Sequence, residues 1–410
     1  LDLREYNADF HIHSKYSGGC SSNMELPLIA KQAELKGLQI VGTGDSLNPK
    51  WIAHIRENCH EETGGIYKVK NSKTDFLITT EVEDCKRVHH LIIFPSLGSA
   101  EDLSEIFARY SEDIKIDGRP HLKLNGEEIV DYVKSVGGMI GPSHAFTPWT
   151  AIYKEYNSLT ECYGKNVKDV RFLELGLSAD TYMADRINEL QEITFMTNSD
   201  AHSPWPNRLG REFNRILVGE LSFDEIRKAI TGRDRRGFIL NVGLNPREGK
   251  YHLTACSRCY LKFKIEDAKA VSWRCPECKG TIKKGVDDRI NELASWDKPH
   301  HPHNRPKYIH IIPLAEVISL ALGIHGTETK KVREKWESLV ESLVTEINVL
   351  VDADIEDVKA VDPAIGRVIE KFRTGQIEYI AGGGGQYGKP TLKTEKDRYW
   401  GYGQKTLGEF

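Results

Sequence analysis

Five short apolar runs in the first two hundred residues each lead into side chains that can hold a metal ion. Ala8-Asp9-Phe10 leads to His11 and His13, and Gln39-Ile40-Val41-Gly42 to Asp45. Phe76-Leu77-Ile78 leads to Glu81, Met139-Ile140-Gly141 to His144, and Ile193-Thr194-Phe195-Met196 to Asp200 and His202. Segments 25–37, 126–136 and 183–190 between them carry helical apolar spacing. Short runs alternating with helix-like segments predict a mainly parallel α/β domain over residues 1–245. Acids and histidines at the carboxyl ends of successive strands are where a closed β/α barrel places its chemistry.

His11-Ile12-His13 on a strand puts both imidazoles on one face, because side chains alternate with a period of two. Carboxylates mixed with imidazoles suit Zn²⁺, Mn²⁺ or Fe²⁺, and bridging carboxylates suit more than one ion. A second cluster is of a different kind. Four of the eight cysteines form Cys256-x2-Cys259-x15-Cys275-x2-Cys278. This zinc-ribbon spacing offers four thiolates to one Zn²⁺, which leaves no open position and makes the metal structural.

The whole chain has a formal net charge of -4, which by itself does not suggest a nucleic-acid partner. Residues 246–290 differ, with eleven Lys/Arg against six Asp/Glu, a net of +5. With Tyr260, Phe263 and Trp273 interleaved, this module can neutralise phosphates and stack on bases; equally, it can serve only to prop the helical segment that follows. The organisation expected is a barrel at 1–245, the zinc ribbon at 246–298, a helical domain with a glycine-rich loop at 299–388, and an exposed tail at 389–410. Helical patterns fall at 314–322, 329–351 and 363–374. Gly382 to Gly385 read as a hinge or as a loop whose backbone approaches something closely. No apolar run approaches a membrane span, and the acidic start Leu1-Asp2-Leu3-Arg4-Glu5 is unlike a signal peptide, so the expected compartment is the cytoplasm.

His11-Ile12-His13-Ser14, Gly44-Asp45, Thr80-Glu81-Val82 with His89-His90-Leu91, and Ser199-Asp200-Ala201-His202 resemble, in order, the motifs of the polymerase-and-histidinol-phosphatase (PHP) family. The resemblance covers roughly residues 6–240. It implies a distorted seven-stranded (β/α) barrel with a centre of two or three divalent ions (Zn²⁺, Mn²⁺ or Mg²⁺) used on phosphate esters. It implies His11, His13, Asp45, Glu81, His90, His144, Asp200 and His202 as ligands, with Asp200, Asp45 and Glu81 catalytic. Asp45 stays open as ligand or as support for one; His89 is read as structural, and Glu174 as support or packing. Two departures from the family pattern, Ser46 after Asp45 and Gly19-Cys20 where a further histidine is usual, point to two firm ions.

The order of barrel, four-cysteine ribbon, helical segment and glycine loop is similar to the endonuclease Q family over essentially the whole chain. That resemblance implies hydrolysis of DNA on the 5′ side of deaminated bases (uracil, hypoxanthine, xanthine) and of abasic sites by metal-activated water, after the nucleotide is flipped from the helix. Trp149, Tyr182 and Trp205 are the candidate pocket or wedge aromatics, and Arg208 and Arg211 the candidate phosphate clamps. Gln404, Leu407 and Phe410 resemble the Q-x-x-L-x-x-F peptide that docks on sliding clamps such as PCNA. Alternatives are a PHP phosphatase or exonuclease acting on small phosphate esters or DNA ends, and a DNA-binding scaffold with a degenerate metal site.

Overall fold

A computed structural model describes residues 2–392; the tail residues Gln404, Leu407 and Phe410 lie outside the described residues. The strand Arg4–Asp9 sits inside an eight-stranded sheet, parallel to Ile40–Gly42 on one side and antiparallel to Phe213–Val218 on the other. Ile40–Gly42 continues into Asp75–Leu77, and Phe213–Val218 into Gly237–Gly243. Thr79–Glu83, His89–Ile93 and Met139–Pro142 form a second sheet, and Phe172–Glu174 pairs with Thr194–Met196. A single bridge, Ile12 to Ala201, carries the ring across from the first strand to the last ligand loop. Phe10, Leu77, Leu91, Phe172 and Met196, one from each of five segments around the ring, are buried together inside it. The result is a distorted PHP-type barrel followed by a four-cysteine module and a helical segment.

The pairing is mixed, where the sequence pattern predicts mainly parallel strands. Between Thr79–Glu83 and His89–Ile93 there is a tight turn, not a crossover helix. Asp84 accepts hydrogen bonds from the backbone N–H groups of Lys86 and Val88 and closes this turn, so the two strands are forced to run antiparallel.

The helical pattern at 126–136 forms Gly126–Ser135, started by a reciprocal capping box between Asn125 and Glu128. The pattern at 183–190 yields only the turns Thr181–Ala184 and Asn188–Leu190. Asp185 between them is turned into the interior, where it receives Arg305 and His301. The last helices are Leu314–Leu322, Lys330–Leu343, Ile355–Val361 and Pro363–Arg373, the fourth begun by the Asp362 side chain. The pattern at 329–351 breaks at Val344, whose φ is 74°, and resumes as the wide turn Asn348–Asp352.

The helical segment is not a separate layer, because Lys307–His310 adds a parallel strand to Gly237–Gly243 of the barrel sheet. Nor does the tail begin at 389: Lys389–Thr391 pairs with Glu378–Ile380 as the second arm of a hairpin. The glycines form the loop of that hairpin and press against the cysteine module. A Cβ on Gly384 would lie 2.3 Å from the Cys256 carbonyl oxygen, and one on Gly388 would lie 2.0 Å from that of Arg247. Close backbone approach, not hinge freedom, therefore explains these residues. Among the described residues, no helix is long and apolar enough to cross a membrane.

Candidate metal centre

The strand Arg4–Asp9 delivers His11 and His13 to one end of the ring, where both are buried. His13 Nε2 lies 3.1 Å from Asp200 Oδ1, and His11 Nε2 lies 3.7 Å from the same oxygen. Glu81 Oε1 is 3.2 Å from His89 Nδ1, 3.2 Å from His144 Nε2 and 3.5 Å from His11 Nε2. Its other oxygen is 3.5 Å from His13 Nε2. Two donor groups result, His11-His13-Asp200 and Glu81-His89-His144, each with ligand atoms within 4.8 Å of one another, and the Glu81 carboxylate faces both.

These residues fit divalent ions by their own chemistry. His11 Nε2, His13 Nε2 and Glu81 Oε1 are buried with no hydrogen-bond partner among the described residues. Buried polar atoms are nearly always satisfied, so three orphans aimed at one point mark a ligand position. Asp45, His144 and Asp200 have φ of 48°, 27° and 49°, a region non-glycine residues rarely occupy and one that clusters at functional sites. Burial alone would raise the Asp200 carboxyl; the His13 and His11 imidazoles outweigh it and hold the group well below the usual carboxylate range. Burial opposes protonation of His13, yet Asp200 and Asp45 push its imidazole up to about 9.

The structure redraws the expected ligand set at three positions, His90, Asp45 and His202. His89, not His90, faces the centre. The strand alternates, and His90 points to the far side, where Nδ1 lies 2.8 Å from the Tyr163 hydroxyl and Nε2 lies 3.2 Å from Asp84 Oδ2. Asp45 stands behind His13 and is absent from both donor groups. Its Oδ1 lies 3.1 Å from His13 Nδ1, while its Oδ2 accepts from the Ser14 N–H and from the Ser14 and Ser17 hydroxyls. Such a carboxylate orients the imidazole and raises its basicity. Glu174 does the same for His11, with Oε2 2.8 Å from Nδ1. His202, expected as a ligand, is in neither donor group: it sits beside His13, ring centroids 4.7 Å apart, with Nδ1 bound to the Asp200 carbonyl.

The four cysteines converge as expected. Cys256 and Cys278 sulfurs are 3.4 Å apart and those of Cys259 and Cys275 3.6 Å, close to the ~3.8 Å between thiolates on a tetrahedral zinc. Tyr260 and Lys279, each just after the second cysteine of its pair, have positive φ and fold the chain back around the sulfurs.

Residues 313–376 match the family model of the MJ0043 C-terminal domain. MJ0043 of Methanocaldococcus jannaschii is 48% identical over 282 residues, 68% of this chain and 34% of the relative, so the chain spans about a third of that protein's length. The structure is similar to that of the lesion-specific endonuclease PfuEndoQ from Pyrococcus furiosus, with a TM-score of 0.92 and 47% identity over 96% of each chain. The chain belongs to the endonuclease Q family. A second endonuclease Q structure, a complex with a 27-mer duplex carrying an abasic lesion at the active site, matches with a TM-score of 0.89 and 47% identity, over 96% of this chain and 98% of that one.

In this member of the endonuclease Q family, Trp149, Tyr182 and Trp205 are all exposed. Trp149 lies on the loop after His144, and Tyr182 meets the His301 ring. Arg208 is exposed one turn after Trp205. Arg211 spends its Nε–H on the Ser199 carbonyl and so braces the loop carrying Asp200. The guanidinium that reaches the centre is Arg119, whose Nη1 is 3.4 Å from Glu81 Oε2. No motif marks it. Gly118 lets its loop in, since a Cβ there would lie 2.1 Å from Asp45 Oδ2.

Proposed function

We propose that this chain is a metal-dependent endodeoxyribonuclease of DNA repair that cuts 5′ of deaminated bases and abasic sites. The observation that carries the reading is Glu81, a buried carboxylate facing two donor groups, in a chain 47% identical to an endonuclease Q solved with an abasic-lesion duplex at its active site. Two ions held there would supply Lewis acidity and activate water for in-line displacement at phosphorus. His11, His13 and Asp200 would hold one and Glu81, His89 and His144 the other; mixed imidazole and carboxylate donors favour Zn²⁺ or Mn²⁺ over Mg²⁺. Asp45 and Glu174 keep His13 and His11 in the ligating orientation. Arg119 would take a non-bridging phosphate oxygen through the part of its guanidinium that Glu81 leaves free.

The segment 1–245 would carry the chemistry, the zinc-bearing 246–298 would add phosphate contacts, and the helices that follow would brace the barrel. Trp149, Tyr182 and Trp205 stand as candidates for wedging or stacking on an extrahelical nucleotide. Thiolates held by one Zn²⁺ accord with a reducing compartment, the cytoplasm. Gln404, Leu407 and Phe410 would dock on a sliding clamp, a reading supported by their spacing. Deleting residues 400–410 should leave incision of naked oligonucleotide intact and abolish co-elution with the clamp; co-elution that survives the deletion sinks the motif.

The enzymatic reading is tested with a labelled duplex holding one internal deoxyuridine or abasic site. The expected product is a nick on the 5′ side with a 3′-hydroxyl end, lost on chelation and restored by Mn²⁺. Free phosphate or end-trimming without a nick would transfer the chain to the phosphatase or exonuclease class.

A further inference from the structure

Rings and ammonium groups lie side by side from the loop after His144 across the cysteine module to the glycine hairpin. The Lys250 ammonium lies 5.4 Å from the centre of the Tyr387 ring and 5.6 Å from that of Tyr251. Tyr251 meets Trp149 edge to face, with centroids 6.0 Å apart and planes at 83°. The Lys283 ammonium stands 6.0 Å from the Trp149 ring centre. Tyr387 is 72% exposed and Trp149 53%, so both present ring surface to solvent. Among the described residues, neither Lys250 nor Lys283 has a carboxylate or hydrogen-bond partner for its ammonium. These cations rest on rings, with no carboxylate beside them among the described residues.

We propose that this rail grips an unpaired stretch of DNA, with bases stacked on Trp149 and Tyr387 and phosphates held by Lys250 and Lys283; the inference rests on the endonuclease reading above. Exposed rings interleaved with basic groups are the chemistry of single-strand binding, because every base has a face to stack and every linkage a charge to neutralise. A duplex does not fit. Its base faces are covered by parallel neighbours, whereas exposed rings such as Trp149 and Tyr387 can stack only on bases that have parted. Beside Trp149, Tyr251 and Lys283 lies a hollow of about 500 Å³, and Thr147 on its wall is 3.2 Å from His144 Nδ1. A strand held on the rail is thus one side chain away from the metal centre. Extracting a nucleotide from a duplex unpairs and unstacks that nucleotide and loosens the helix beside it, and the rail gives a segment so opened a place to bind.

The test is fluorescence anisotropy of the zinc-loaded full chain with an undamaged oligothymidylate and with a blunt undamaged duplex of equal length. Trp149→Ala/Tyr387→Ala should weaken oligothymidylate binding by about ten-fold or more while the duplex affinity falls far less. Lys250→Gln/Lys283→Gln should flatten the log–log salt slope for the single strand by about 1.4. Melting temperature and zinc content verify the folding of each variant, and the highly exposed Tyr387→Ala alone gives a second reading in the same direction. Unchanged oligothymidylate affinity in the aromatic double variant, or an equal loss for duplex and single strand, overturns the proposal. Failure of the endonuclease reading is seen separately, as a parent protein that does not nick the abasic duplex.

Discussion

Lys36 and Glu346, 310 positions apart, form a fully buried ion pair of 2.7 Å between the first barrel helix and the C-terminal helical segment. The Lys36 ammonium also donates to the Pro206 carbonyl, on the loop that follows His202. Glu346 accepts in addition from the Trp336 indole N–H and the Leu314 backbone N–H. Breaking a buried pair by removing one partner leaves an uncompensated charge. Glu346→Ala should therefore destabilise the chain by about 3–5 kcal/mol in denaturant unfolding. A change under ~1 kcal/mol would mean the pair is solvated and does not tie the helices to the site.

The two adjacent histidines should separate by readout. His89→Ala removes a donor from the group with Glu81 and His144, so metal bound per chain should drop and incision should fall by about two orders of magnitude. His90→Ala removes the buried links to Tyr163 and Asp84; it should cost about 2–4 kcal/mol of stability and leave the metal content unchanged. The reverse pattern would return the ligand role to His90.

Arg119→Ala should lower kcat by roughly 10²–10³ with metal content retained, because a preorganised donor aimed at developing charge acts mainly in the transition state. Added guanidinium should restore part of the rate, and Arg119→Lys should recover less than the parent, since a point charge lacks the planar fork. Loss of metal in Arg119→Ala, without rescue, would make the residue structural.

Cys275→Ser should release zinc and lower the melting temperature sharply, because folding of such a module is coupled to its metal. The glycine hairpin packs on the Cys256 carbonyl, so proteolysis near residues 382–388 should accelerate in parallel. Unchanged zinc content and melting behaviour would exclude a metal site.

Glu212 supplies a pH test at a carboxyl that belongs to neither donor group. Burial pushes its carboxyl up to about 8, with the Leu244 N–H only partly opposing. The folded protein then holds a proton that the unfolded chain releases near pH ~4.3. The contribution of this group is complete below that value and is lost as pH rises through about 8. Glu212→Gln keeps the acceptor and removes the titration. Its stability advantage over the parent should widen by on the order of 2 kcal/mol between pH 6 and 8 and level off above, as followed by urea unfolding. A constant gap would show that Glu212 is ionised at both ends.

The sequence by itself determined the strand ends that carry ligands, the helices whose apolar spacing and caps agree, and the cysteine module. Each of these is a local code: periodicity places His11 and His13 on one face, the Asp362-Pro363 start is written in adjacent residues, and two CxxC pairs at ribbon spacing converge on one point. Only the tertiary structure decided which of His89 and His90 faces inward, because alternation fixes that they differ and not which way the strand is turned. It alone placed Asp45, open between ligand and support in the sequence, behind His13, through contacts with Ser14 and Ser17. Arg119 and Glu346 were illegible for the same reason: each acts on partners far away in sequence, and no spacing rule encodes a side chain whose meaning is the surface it reaches when the chain closes.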